Sequence, residues 1–540
     1  MAVFSSVTMY NVKLELLDIA HQCSLRGLTH SMKWSSELAS VLTTTDQPTI
    51  TALSSLCVTD TTLLMEFDKY LLGKSFFDSK EYARAASYLK DCKSNASIFL
   101  YYYSRYMEIK KKQRYQMVGV FDNKVKESKA WQQLIDLRQD LKKNEDQLDS
   151  FCFYLYGIVL KNLELDKEAI ENLECSIQMQ PLFWSAWEEL AGLCKDRQIL
   201  KDLKLPKHWM GEFFHAYAEL ELHLNEEALA RYRDISSVGF GNSIYVKSQL
   251  ATALYNIRAF DASAEQFKDL RQMDPFMLEN IDTYSNILYI QDDRPELSYL
   301  AHHACEVDKY RYESCTVIGN YYSLRGDREK AVLYFKQALR LNPDYNVAWT
   351  LLGHEHLELK NTSAAIESYR RATELNSRDF RAWYGLGQTY EILKMLYYAL
   401  YYYREAQKLR PNDARMLIAL GDTYQNIEKI DEAKKCYSRA VRLGDSVGQA
   451  TIKLARLQEN SGEIEEAAKL YTLHLDRVHQ GLYDFSDDQG KACLFLARHH
   501  LKHERFDEAE LYARRGAEYN ETREEAKTLH SEITNASKSV

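Results

Sequence analysis

Across residues 312–447 one pattern of large, small and aromatic positions returns every 34 residues. Three of the four units place a large residue at position 4, the fourth a Cys, and all place a Leu-like one at 7. Glycine occupies position 8 and an aromatic or His ring position 11. Ala follows at 20, an aromatic at 24 and Ala again at 27. Residues 380–413 read Trp383, Leu386, Gly387, Tyr390, Ala399, Tyr403 and Ala406. Residues 346–379 read Trp349, Leu352, Gly353, His356, Ala365, Tyr369 and Ala372. Residues 312–345 read Cys315, Ile318, Gly319, Tyr322, Ala331, Phe335 and Ala338, and residues 414–447 read Leu417, Leu420, Gly421, Tyr424, Ala433, Tyr437 and Ala440. Positions 4, 7, 8 and 11 share one face of a helix, and positions 20, 24 and 27 share one face of a second. The small residue at 8 is expected to face Ala at 20 so that the two axes approach closely, with the aromatic at 24 filling the gap beside them.

Proline punctuates the same register. Pro275, Pro343 and Pro411 each fall at position 32, where a proline stops the second helix. A 34-residue helix–turn–helix unit is the period of the tetratricopeptide repeat. Weaker copies extend the array. Residues 150–183 fit through Phe153, Tyr156, Gly157, Leu160, Ala169, Leu173 and Pro181. Residues 209–242, 244–277 and 278–311 fit loosely, and a hairpin at 66–99 is marked by Leu72, Gly73, Phe76, Ala85 and Leu89. Two further units follow, through Leu454, Ala455, Ala467 and Tyr471, and through Leu496, Ala497, Ala509 and Ala513. The fold class is therefore all-α: a superhelix of stacked hairpins. We divide it into a helical segment and Ser/Thr-rich linker at 1–62, irregular hairpins at 63–208, the main superhelix at 209–520 and a short tail at 521–540. Within the first segment, residues 39–62 lack a helical period and read as linker.

Composition agrees. Gly (20) and Pro (7) together make about 5% of 540 residues against a usual ~12%, which argues against sandwiches and barrels with many tight turns. The net charge of −9 is interspersed along the chain, so no nucleic-acid-tracking face is expected. No run of 18 uncharged apolar residues exists, and no membrane partner is expected. The ten cysteines are scattered without a CxxC, as small core residues in a reducing compartment would be. No cofactor and no metal are expected. His499 and His503 have the i, i+4 spacing of a metal pair, but no third ligand is visible in the sequence. Arg325-Gly326-Asp327 spans positions 14–16, a turn between helices. No catalytic constellation is evident, so an interaction scaffold is expected rather than an enzyme.

Specific stretches go beyond repeat positions. These are CSLRGLTHSMKWSSELA at 23–39, FCFYLYGIVLKNLELDKEAIENL at 151–173, VIGNYYSLRGDREKAVLYFKQALRLNP at 317–343, and the block from GHEHLELKNTSAAIESYRR to EAQKLRPND at 353–413. In these the chain resembles the subunit 8 family of the anaphase-promoting complex. The resemblance implies a non-catalytic scaffold in a ubiquitin ligase, nuclear and cytoplasmic, contacting other subunits of that complex. It implies homodimerisation through the N-terminal hairpins, where Phe76, Phe77, Tyr101, Tyr102 and Tyr103 are the candidate interface. It also implies a C-terminal groove for the short basic C box of a coactivator. Asn320 and Glu355 are the favoured contacts there. His354, Tyr384, Gln388, Glu391 and Asp422 are further candidates. The alternative, a co-chaperone adaptor that clamps a peptide C-terminus, needs Lys at position 5 before Asn320 and a basic residue on the next helix. Thr316 and Leu351 stand there instead.

Overall fold

The structure, a computed structural model, describes residues 9–42, 61–116, 129–445, 448–479 and 488–539. Among the described residues every regular element is helical. The chain divides into two compact units, Met1–Gln291 and Asp292–Val540.

In the second unit the 34-residue register becomes a series of hairpins. Tyr312–Leu324 pairs with Arg328–Leu341, Asn346–Glu358 with Thr362–Leu375, Phe380–Ile392 with Leu396–Leu409, and Ala414–Asn426 with Ile430–Leu443. Gln449–Asn460 with Ile464–His479 and Asp488–Lys502 with Phe506–Gly516 continue the series. The second helices stop at Leu341 and Leu409, two residues before Pro343 and Pro411, and at the same position, Leu375 and Leu443, where Ser377 and Asp445 replace proline, so proline is compatible with the stop but not its sole cause. The turn of each of the first five hairpins carries a left-handed residue at position 15, and Glu504 (φ 56°) is left-handed in the sixth. The first five are Gly326 (φ 87°), Lys360 (60°), Lys394 (60°), Glu428 (67°) and Gly462 (81°). Only glycine adopts this conformation without steric cost, so Arg325-Gly326-Asp327 is a turn sequence.

Packing inside a hairpin differs from the sequence expectation. A Cβ added to Gly387 would meet the Tyr403 ring at 2.5 Å, and the three nearest atoms all belong to that ring, not to Ala399. Gly319 meets Phe335, Gly353 meets Tyr369 and Gly421 meets Tyr437 in the same way, each at 2.5 Å. The small residue at 8 therefore admits the ring at 24, sixteen residues on. The weaker copies obey the same rule with leucine, where Gly73 faces Leu89 and Gly157 faces Leu173. A second device couples successive units: a Trp at position 4 donates its indole N–H to the carbonyl at position 32 of the preceding unit. Trp349 reaches Pro343 (2.9 Å), Trp383 reaches Ser377 (2.9 Å) and Trp187 reaches Pro181 (2.8 Å).

The first unit is less regular. Its hairpins are Phe67–Asp78 with Tyr82–Leu89, Ser150–Asn162 with Asp166–Met179, Met210–Glu221 with Asn225–Ile235, and Ile244–Ile257 with Phe260–Met273. The helices Met9–Leu25 and Thr29–Val41 are docked into this array. Trp34 stacks on Trp184 (4.6 Å between centroids) and meets Phe213 and Tyr245 edge-on. Ser31 and Ser185 share a hydrogen bond of 2.5 Å. Arg26 pairs with Asp149 (3.0 Å) and lies 4.0 Å above the Phe151 ring. One apolar core runs from Val12 to Val246. The division at 291/292 thus differs from the sequence boundaries at 62/63 and 208/209, because this core spans both.

Two other sequence readings change. Residues 39–41 and 61–62, read as linker, are helical, while 43–60 lie outside the described residues. Residues 117–128 and 480–487 also lie outside the described residues. The tail is a helix, Arg523–Ser539, that buries Ala526, Leu529 and Ile533 against Leu494, Ala497, Ala509 and Ala513. It covers the apolar face of the hairpin formed by Asp488–Lys502 and Phe506–Gly516.

Candidate peptide-binding face

The candidate residues of the second unit lie on the first helices of four successive hairpins, at positions 5, 9, 10 and 12. Helical period places positions 5, 9 and 12 on one face, which borders the ring-filled seam at position 8. The structure shows what each is already doing.

The tyrosine at position 24 spans the hairpin and offers its hydroxyl to this face. Tyr369 O–H shares a 2.7 Å hydrogen bond with Nδ1 of His354. Tyr403 donates to Glu391 (2.7 Å), Tyr437 to Asp422 (2.7 Å) and Tyr471 to Glu459 (2.9 Å). The buried ring at 24 thus needs a polar partner for its tip, and positions 9 and 12 supply it. Burial and the neighbouring carboxylates hold these phenols well above their ordinary range. Asp422 has a second partner in Lys453 Nζ (2.6 Å). Both Glu391 and Asp422 remain half-buried. Tyr384 packs against Tyr403 with 5.3 Å between ring centroids, and Gln388 is half-buried one turn further on.

The two favoured contacts sit deeper. Asn320 is 3% exposed and Glu355 4%. Glu355 accepts hydrogen bonds from the Ser323 hydroxyl (2.6 Å) and from Arg328 (3.2 Å). Burial raises its pKa against the opposing effect of those two partners. Arg328 also lies 3.8 Å from Glu358. Glu355 is therefore the buried hub of an ion-paired network rather than a free carboxylate at the rim. The sequence reading missed Ser323, Arg328 and Lys453. Lys453 had a signal: it stands at position 6 of the repeat following that of Asp422.

His354 is held neutral. Burial lowers its pKa from 6.5 to about 4. A histidine depressed on folding binds its proton more readily in the unfolded chain. Its contribution to stability is therefore complete above pH 6.5 and is lost as pH falls from 6.5 towards 4. We expect His354→Gln, which keeps a polar partner for Tyr369, to flatten the stability–pH curve in that window. Urea midpoints for both proteins at pH 7, 5.5 and 4.5 check this, and parallel curves would contradict it.

In the first unit the candidate interface aromatics are largely committed within their own chain. Phe77 and Tyr102 are buried. Tyr103 lies between Phe77 and Phe99 (5.3 Å each), Tyr101 packs edge-on against Tyr102, and Phe76 stacks on Tyr88. The exposed apolar side chains of this region are instead Leu64, Met65, Phe67, Leu71, Leu72 and Tyr88.

Residues 11–251 match the family model described as Anaphase promoting complex subunit 8 / Cdc23. Tetratricopeptide repeat models match 312–345, 353–392, 380–413 and 418–480. Anaphase-promoting complex subunit 8 of Dictyostelium discoideum is 38% identical over 397 residues, covering 63% of this chain and 67% of that protein. The chain belongs to the anaphase-promoting complex subunit 8 family. Other subunit 8 relatives include the Arabidopsis thaliana protein, 44% identical over 284 residues (52% of this chain, 49% of that one). Cell division cycle protein 23 homolog of Homo sapiens is 47% identical over 298 residues (55% and 49%). The chain thus spans about half the length of the plant and human relatives it matches. A chain of the crystal structure of the APC/C hetero-tetramer Cut9-Hcn1 shares the fold, with a TM-score of 0.58 at 16% identity over 96% of this chain and 98% of that one.

Proposed function

We propose that this subunit 8 family member is a non-catalytic scaffold of the anaphase-promoting complex ubiquitin ligase, acting in nucleus and cytoplasm. Its second unit receives the basic C box of a coactivator on the face carrying Asn320, Glu355, Gln388, Glu391 and Asp422. Its first unit joins two copies of the chain. The observation that carries the reading is family membership combined with acidic side chains on successive first helices. A basic extended peptide needs charge-assisted hydrogen bonds at repeated intervals, and Glu391 and Asp422 lie one repeat apart on one face. For the dimer, the exposed run of Leu64, Met65, Phe67, Leu71 and Leu72 supports an apolar interface better than the buried rings do.

A pull-down with the full chain tests the first statement: cullin-type ligase subunits are expected, and recovery of chaperone tails instead would favour the co-chaperone reading. Light scattering tests the second. A particle of twice the 63.0 kDa chain mass is expected at micromolar concentration. Met65→Glu together with Leu71→Glu should convert it to a monomer of unchanged helicity, since both side chains face solvent within the protomer.

A further inference from the structure

The histidine pair at the end of helix Asp488–Lys502 gains a third partner on folding. Glu465, the second residue of helix Ile464–His479, lies opposite it. Its Oε1 is 3.4 Å from Nε2 of His499 and 3.2 Å from Nε2 of His503. The three donor atoms all fall within 4.8 Å of one another. The two rings are tilted at 51° with centroids 4.6 Å apart, so both present Nε2 to one point. Bonds of about 2.0–2.1 Å to a tetrahedral cation put its ligand atoms roughly 3.3 Å apart, close to the two Glu465–His separations, while the two His donors lie within 4.8 Å of each other. His499 is the least exposed of the three donors. Its side chain is 11% exposed, its Nε2 faces the Glu465 carboxylate at 3.4 Å, and its Nδ1 has no hydrogen-bond partner among the described residues. A metal bond at Nε2 would replace that long contact with a full ligand bond. The neighbouring His500 is engaged elsewhere, with its Nδ1 2.8 Å from Glu508.

We propose that Glu465, His499 and His503 form a binding site for a borderline divalent cation of the zinc class. Two neutral imidazoles and one carboxylate suit Zn²⁺, Co²⁺ or Ni²⁺, whereas Ca²⁺ and Mg²⁺ want an oxygen shell. Three protein ligands leave the fourth tetrahedral position to water. The ligands come from the second helix of one hairpin and the first helix of the next. A bound cation therefore fastens the start of Ile464–His479 to the end of Asp488–Lys502, joining two successive repeats near the C-terminal end of the array.

Titration of the full chain with Co²⁺, followed by displacement with Zn²⁺, tests the site. One equivalent is expected, with the visible d–d absorption of a nitrogen–oxygen ligand set and without a thiolate-to-cobalt charge-transfer band. The latter distinguishes this site from the ten cysteines. Glu465→Gln and His503→Ala each remove a ligand from an exposed side chain, 68% and 51% accessible, so folding should survive both. Each should weaken affinity at least about tenfold, since even losing a group that only supports a ligand costs that much. Zn²⁺ should raise the thermal midpoint of the parent and of neither variant. Equal Co²⁺ affinity in parent and variants, no saturable binding, or a spectrum dominated by thiolate ligation would each overturn the proposal.

Discussion

Gly387→Leu should destabilise the second unit by about 1–3 kcal/mol or more, read as a lowered thermal and urea midpoint. The first new atom, Cβ, already falls 2.5 Å from the Tyr403 ring. That ring cannot retreat freely. It is buried, packed on Tyr384 at 5.3 Å, and tethered by its hydroxyl to Glu391 at 2.7 Å. Moving it breaks the hydrogen bond as well as the packing. Units in an array are stabilised by their neighbours, so the loss should spread to the hairpins on either side. Gly387→Ala should do less harm, because only Cβ must be accommodated. A companion substitution, Tyr403→Leu, should recover part of the Gly387→Leu loss, since Gly157 already faces Leu173 in the same geometry. An unchanged midpoint for Gly387→Leu would mean that the ring at 24 does not fill the space over position 8.

The hairpins of residues 312–447 were legible because each repeat position has one steric task, performed identically four times. The partner of position 8 was not: Ala399 and Tyr403 lie on the same helical face, and period alone cannot choose between them. The structure does, because the ring needs the room and Ala does not. Long-range docking was equally hidden. Trp34 and Trp184 are 150 residues apart, and nothing local to RGLTHSMKW tells that the segment packs inside the first unit rather than preceding it. The candidate peptide face was legible as a set of positions but not as a set of free groups. Glu355 reads as an ordinary helix acid until Ser323 and Arg328 are found against it. The third ligand for His499 and His503 failed the sequence search for the same reason, since Glu465 stands on another helix 34 residues earlier.

Glu355 reshapes the expected result at the peptide face. Asn320→Ala with Glu355→Ala should abolish binding of a basic C-box peptide. It should also lower stability, because Arg328 and Ser323 lose a buried acceptor, a loss of about 1–3 kcal/mol. That double variant alone cannot separate recognition from folding. Glu391→Gln with Asp422→Asn does. Each amide keeps a carbonyl oxygen to accept the Tyr403 or Tyr437 hydroxyl, so the rings stay in place while two negative charges disappear. The Asp422 change also frees Lys453 from its 2.6 Å partner and adds local positive charge, opposing a basic ligand further. Losing charged partners for a bound peptide costs about 2–5 kcal/mol, so affinity should fall at least thirtyfold while the urea midpoint changes little. Fluorescence anisotropy with a labelled C-box peptide at low and moderate salt measures this. The parent's affinity should weaken with salt, and the amide variant's much less, because its remaining contacts are not charge pairs. If the amide variant binds as tightly as the parent with the same salt dependence, Glu391 and Asp422 serve only to hold their tyrosines, and the peptide lies elsewhere.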